Sequence, residues 1–389
     1  MRRIEITQQI EAWAKAYADE MEDTSANSSF QTGTDPVSKL KDLEVCLRDH
    51  STEILIAFKQ TTKKGKTRSA NHHYWADQKP EFAEYVKQIW TVYHGLNCVK
   101  PSGYNVLLRR FDRLVSHKDI EKVRVKIKGK KKVKSFADLI VEAMNYSKVQ
   151  SKIFSTYVKL LGFRTCVYCN AQFATTATVS KLVRDNKRRL KYINHVPGTF
   201  YELDHNRPKS IYPFLCTNFY NLQPCCSSCN RRKSNSKFTF SVYYEKGDGT
   251  EIHPLHFAIK PNDLIEYRVN NKCDGIGAHL CNKGTDLPPT DRVRTLAKNF
   301  ENTLGVQGVY DEYQDFVTEL LWRHKIYSKG FVKSLDAQMK SLGISSFDFK
   351  HFILGTYTDE RDAFKRPFTI MLQDIWEQLE GQKAENIRP

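Results

Sequence analysis

The sequence predicts an α+β protein, a mostly helical chain with one small module, stapled by four cysteines, embedded between helical flanks. Three observations predict it. Apolar residues recur at helical spacing towards both ends of the 389 residues. Alternation of period two is confined to short stretches between them. Two C-x2-C pairs, Cys166/Cys169 and Cys226/Cys229, stand far apart in sequence, and each is the kind of tight turn that offers two thiolates to one metal ion. The boundaries that follow are an N-terminal helical region over 1–160, the module over 161–260 and a C-terminal helical region over 261–389.

In chain order, residues 2–20 read as an amphipathic helix with Ile4, Ile6, Ile10, Trp13 and Tyr17 on one side, and 22–36 as a polar linker. Pro80 opens a second helix carrying Phe82, Tyr85, Val86, Ile89 and Tyr93; such aromatic stripes are core more often than binding platforms. Over 121–134, Val123, Val125 and Ile127 interleave with Lys122, Arg124, Lys126 and Lys128, and Gly129-Lys130 turns into a second basic run. This is a β-hairpin with one cationic face, either a phosphate-tracking arm or a sheet edge protected by lysines. Ser135 caps a helix with Phe136, Leu139, Ile140 and Ala143, and a further helix runs to Leu161. Between Asn170 and Phe200 lies an insertion, strand-like from Ala171 to Val179, whose basic continuation holds Lys187, Arg188 and Arg189. Alternation returns after Lys237 and ends near His253-Pro254. From Pro288 onwards the pattern is helical. Thr290 caps a helix with Val293, Leu296, Ala297, Phe300 and Leu304, and Gly305 lies just past its end. A second helix carries Tyr313, Phe316, Val317, Leu320 and Leu321, and a last one opens at Pro367 with Phe368, Met371, Leu372, Ile375, Trp376 and Leu379.

The module holds the chemistry. Between the cysteine pairs stand Glu202-Leu203-Asp204-His205 and Asn221-Leu222, and the second pair runs on into Asn230-Arg231-Arg232-Lys233. Four thiolates at this spacing suit a closed tetrahedral zinc site. Cys225 makes the second pair's register ambiguous; Cys226 with Cys229 keeps the C-x2-C spacing, whereas Cys225 with Cys229 would not. These residues resemble the HNH endonuclease family, of the zinc-stapled ββα-metal type. The resemblance covers about a quarter of the chain. It implies a β-hairpin and a helix gripping one divalent cation, with Asp204 as first metal ligand, His205 as general base, Asn221 as the residue that orients it, Asn230 as second ligand, and Cys166, Cys169, Cys226 and Cys229 on a structural zinc. Chains of this family with large helical flanks resemble nucleases of bacterial defence systems that act beside a partner ATPase. The absence of a Gly-rich nucleotide loop in this sequence is compatible with that arrangement.

Each residue type suits its task. A neutral imidazole is a competent base near pH 7. Asp204 cannot share that task, because neighbours on a strand point to opposite faces. The Asp204 carboxylate and the Asn230 amide offer the oxygen ligands that a hard Mg²⁺ or Mn²⁺ takes. Arg231, Arg232 and Lys233 follow on the first helical turn, where at least one would meet backbone phosphates. The basic insertion around Lys187, Arg188 and Arg189 would stand beside the cleft and contact the substrate.

The formal net charge is +17, and fifteen Lys and Arg against six Asp and Glu fall within 161–260. That excess predicts a polyanionic partner, double-stranded DNA above all. Two rival readings are a catalytically inactive zinc module that only binds nucleic acid, and an RNA-cleaving nuclease of the same type. Of ten cysteines, the six outside the pairs show no repeating frame, which fits a reducing cytoplasm better than a disulfide scaffold. No run of eighteen apolar residues occurs, so no membrane span is predicted.

Overall fold

The computed structural model describes residues 2–26, 28–61, 67–185, 188–234, 240–247, 255–282, 300–344 and 347–385. Lys187, His253 and the first part of the helix expected from Thr290 lie outside the described residues. Helix and short sheets are mixed, with helix the more abundant. Three pieces of the fold bear on the module.

The first is a helical layer that packs against one side of it. Helix Gln8–Glu22 starts at Thr7, whose hydroxyl accepts from the Ile10 amide. It buries Ile10, Ala14, Tyr17, Ala18 and Met21. Tyr17 reaches across to donate to the Thr217 carbonyl at 2.7 Å, and its ring meets Phe154, Tyr157 and Phe219. The amphipathic pattern, read from residue 2, runs nearly two turns too far towards the N-terminus, since the helix starts at Gln8. Ile4–Glu5 is a strand, paired in parallel with Tyr243–Tyr244. Just before it, Arg2 is buried against the equally buried Asp374 at 2.9 Å. The polar stretch 22–36 is not a free linker either, since Phe30 is buried within it and Asp35 caps helix Pro36–Arg48 through the Ser38 amide.

The second piece is an antiparallel sheet of four strands in the order Thr67–Trp75, Glu53–Thr61, Val123–Lys126, Lys134–Ser135. The predicted hairpin forms its last two strands, and Val123 and Val125 are buried as the alternation requires. Three of its lysines are held by carboxylates of the chain itself: Lys122 by Asp119, Lys126 by Glu53 and Lys134 by Glu142. Those pairings suit the protected-edge reading of the cationic face. Ser135 then caps helix Phe136–Ala143, as its position predicts.

The third piece wraps the first cysteine turn. Asn170 sits in left-handed backbone at φ 51°, the conformation that lets the chain reverse after Cys169 and that Asn tolerates better than most residues. Its side chain accepts from the Ile370 amide at 3.0 Å and donates to the Ala363 carbonyl at 3.0 Å. Tyr310 donates to the Cys169 carbonyl at 2.8 Å. Segments from the last third of the chain therefore hold the turn from outside.

Candidate metal centre and adjoining cleft

Glu202–His205 and Leu222–Cys225 pair as a short antiparallel hairpin in the register Glu202 to Cys225 and His205 to Leu222. Helix Ser227–Lys233 follows at once. This is the hairpin-and-helix arrangement, and both of its ends carry polar chemistry.

At one end the Sγ atoms of Cys166, Cys169, Cys226 and Cys229 all lie within 4.8 Å of one another, and all four side chains are buried. A tetrahedral zinc with sulfur ligands places its thiolates about 3.8 Å apart, so the cage has the size and the donor set for such an ion. Cys226 also caps the helix, its sulfur accepting from the Cys229 amide at 3.5 Å. Hydrogen bonds from the other three thiols pull the Cys226 pKa down, while burial pushes that of Cys166 up. Cys225 is outside the cage. It faces the Glu202 carbonyl at 3.5 Å and burial raises its pKa, which settles the register ambiguity geometrically.

At the other end Asp204, His205, Asn230 and Arg231 line a cleft of about 320 Å³, together with Leu203, Pro208, Lys209 and Ser234. Alternation along the strand is kept. Asp204 turns towards the helix, where its Oδ2 meets Lys233 Nζ at 2.7 Å and accepts from the Tyr168 hydroxyl. His205 turns the other way, with Nε2 3.0 Å from the Cys216 carbonyl and its ring 4.9 Å from that of Tyr146. Both border the cleft because the strand ends at His205.

Burial, with the Lys209 ammonium second, pushes the His205 pKa down to about 3. The ring is therefore neutral at physiological pH. A carbonyl only accepts, so Nε2 carries the proton and Nδ1 is left as the basic nitrogen. Asn221 clamps the following loop: its Oδ1 accepts from the Arg207 amide at 2.7 Å, and its Nδ2 donates to the Leu215 carbonyl at 2.9 Å and to the Arg207 carbonyl at 3.2 Å. Asn230 donates through Nδ2 to Glu202.

The cations after Asn230 separate. Lys233 is not a surface residue; it is buried, bound to Asp204 and to the His205 carbonyl at 2.8 Å. An ammonium on the inward face of a helix this short is buried only because a carboxylate and a carbonyl await it. Arg232 donates to the Leu304 carbonyl at 2.7 Å, and Arg231 is exposed on the cleft rim. The insertion forms a long hairpin, Thr175–Arg184 with Leu190–Phe200. At its tip Arg188 and Arg189 are exposed, and Arg189 is 3.5 Å from Asp185.

Tyr168, Lys209, Tyr146 and Glu202 belong to the site and escape a motif search. Two had a signal: Tyr168 lies inside the first C-x2-C, and Lys209 stands four residues after His205. Family models, curated proteins and solved structures give no match to this chain.

Proposed function

We propose that the protein is an HNH-type endonuclease that hydrolyses phosphodiester bonds of double-stranded DNA, its module stapled by a structural zinc on Cys166, Cys169, Cys226 and Cys229. One observation carries the reading: His205 opens on a cleft shared with Asp204 and Asn230 while its Nε2 is committed to a backbone carbonyl. A base so fixed presents Nδ1 to water without needing to find its tautomer; burial and the Lys209 ammonium disfavour its protonation in the empty cleft, and the negative charge of a bound phosphate would oppose that.

The residues fit a catalytic cation. Asp204 Oδ1 and Asn230 Oδ1 have no hydrogen-bond partner among the described residues, although their companion atoms are engaged. A carboxylate and an amide oxygen are ligands of the hard kind. These two would hold a Mg²⁺ or Mn²⁺ ion, which when bound neutralises phosphate charge and the departing oxygen. Lys233 holds Asp204 in one rotamer from behind. Asn221 fixes the loop after His205, so the imidazole cannot swing out. Arg231 on the rim and Arg188 and Arg189 on the long hairpin supply phosphate contacts that set register without reading sequence. The net charge of +17 supports a polyanionic substrate. A partner ATPase and a role in defence against foreign DNA rest on the family resemblance alone.

Supercoiled plasmid incubated with the purified protein tests the reading. Nicking with Mg²⁺ and none with EDTA is expected, faster than hydrolysis of a matched RNA; binding without nicking under every divalent ion would leave only a nucleic-acid-binding module.

A further inference from the structure

The cleft holds two ammonium groups in different states. Lys233 is spent on Asp204 and the His205 carbonyl. Lys209 is not: among the described residues it makes no ion pair, and its Nζ lies 4.2 Å from the centre of the Tyr146 ring. That ring is itself fixed. The Tyr146 hydroxyl donates to the Leu203 carbonyl at 2.8 Å, and the ring lies 4.9 Å from His205. Lys209 is fixed at its backbone too, inside a turn in which the Pro208 carbonyl accepts from Ile211 at 3.1 Å and from Tyr212 at 2.8 Å. Lys209 borders the same cleft as His205, Asp204 and Asn230.

An ammonium has three donors and no acceptor. A π face satisfies charge but takes no strong hydrogen bond, so Lys209 keeps donors for an anion that enters the cleft. The aromatic shelf also limits the rotamer entropy lost when such an anion binds. We infer that Lys209 is the phosphate-binding cation of this cleft, seated on Tyr146 so that its ammonium meets the backbone phosphate brought before His205. The inference rests on the nuclease reading for the identity of the anion. It names a residue that acts by its positive charge and is neither the base nor a ligand of a divalent ion, although its ammonium also bears on His205.

Three variants in the full chain test it: Lys209→Met, which keeps the stem and removes the charge, Lys209→Arg, which keeps both, and His205→Ala as control. Binding of a short DNA duplex is measured over a range of salt in Ca²⁺, alongside nicking in Mg²⁺ and melting curves. Lys209→Met is expected to reduce the slope of log K against log salt by about one, to lower nicking on the order of tenfold or more, and to leave melting close to wild type, with Lys209→Arg restoring most of both. The salt slope reads the phosphate contact whether or not the wild type nicks, so failure of the nuclease reading, with wild type inert, is told apart from failure of this inference. An unchanged slope in Lys209→Met overturns it. Lowered melting with an unchanged slope does the same, and makes Lys209 a brace for Tyr146 and His205.

Discussion

Two hairpins leave the same cysteine cage and end differently. The short one, Glu202–His205 with Leu222–Cys225, is buried along all but the half-buried Glu202, and its other polar residues, Asp204, His205 and Gln223, are buried together with Asn206 and Asn221 just beyond its strands. The long one, Thr175–Arg184 with Leu190–Phe200, has no buried residue among its described side chains, and Phe200 at its base remains 56% exposed. An exposed two-stranded ribbon has little to stabilise it beyond its own cross-strand pairs. A buried one loses several kcal/mol for each polar atom left unsatisfied, and here Asn206 Oδ1 and Gln223 Oε1 have no hydrogen-bond partner among the described residues. The difference teaches where each kind of work belongs. On the proposed nuclease reading, proton transfer would need a group fixed to a fraction of an ångström, which the short hairpin would supply, and following a polyanion would need the reach that the long hairpin would supply.

The strongest way to break this contrast is to remove the cage they share. Cys169→Ser should abolish zinc content and unfold the short hairpin with its helix, because structural zinc sites contribute on the order of 10 kcal/mol to folding. Cys225→Ser should keep the zinc. Metal analysis with circular dichroism checks both, and zinc loss from Cys225→Ser would reverse the assignment. Next, His205→Ala should leave fold, zinc and DNA affinity in place and slow nicking on the order of 10²–10⁴-fold; full activity in that variant would remove the base from the scheme.

Lys233→Met sharpens the comparison from inside the short hairpin. It strands the Asp204 carboxylate with Tyr168 alone, at a cost of roughly 3–5 kcal/mol. Denaturant titration reads that loss, and an effect below about 1 kcal/mol would mean that Lys233 reaches solvent. The smallest effect is expected from the long hairpin. Arg188→Ala with Arg189→Ala should leave melting unchanged and reduce the salt slope of DNA binding by about one per lost phosphate contact. The Arg189 contribution should be the weaker of the two, because Asp185 already engages it.

Local signals were legible and distant ones were not. Ser135 announces its helix start with its own side chain, and the four cysteines announce a cage by spacing alone; Thr7 and Asp35 cap helices too, yet the stripe over 2–20 and the polar stretch 22–36 run across them. Ile4 and Glu5 fit a helical stripe, yet their partners, Tyr243 and Tyr244, stand far along the chain, and no window of sequence contains both. Strand Glu53–Thr61 opens on an unbroken apolar run from Ile54 to Phe58, a short-strand signal of another kind from the alternation that found Val123 and Val125. The return strand of the long hairpin is interrupted by Asn194, Pro197 and Gly198, which weaken its alternation. Lys233 shows the limit most plainly. Three basic residues in a row read as one surface patch, and only tertiary packing sends the third inward to Asp204.

The tie between residues 2–5 and the later chain has a consequence for folding. Arg2 needs Asp374, and Ile4–Glu5 needs Tyr243–Tyr244, so residues 2–5 find their place only once those distant segments are present. Contacts of such sequence separation raise contact order and slow folding. Until Asp374 is in place, Arg2 lacks its carboxylate partner and residues 2–5 stay open to protease.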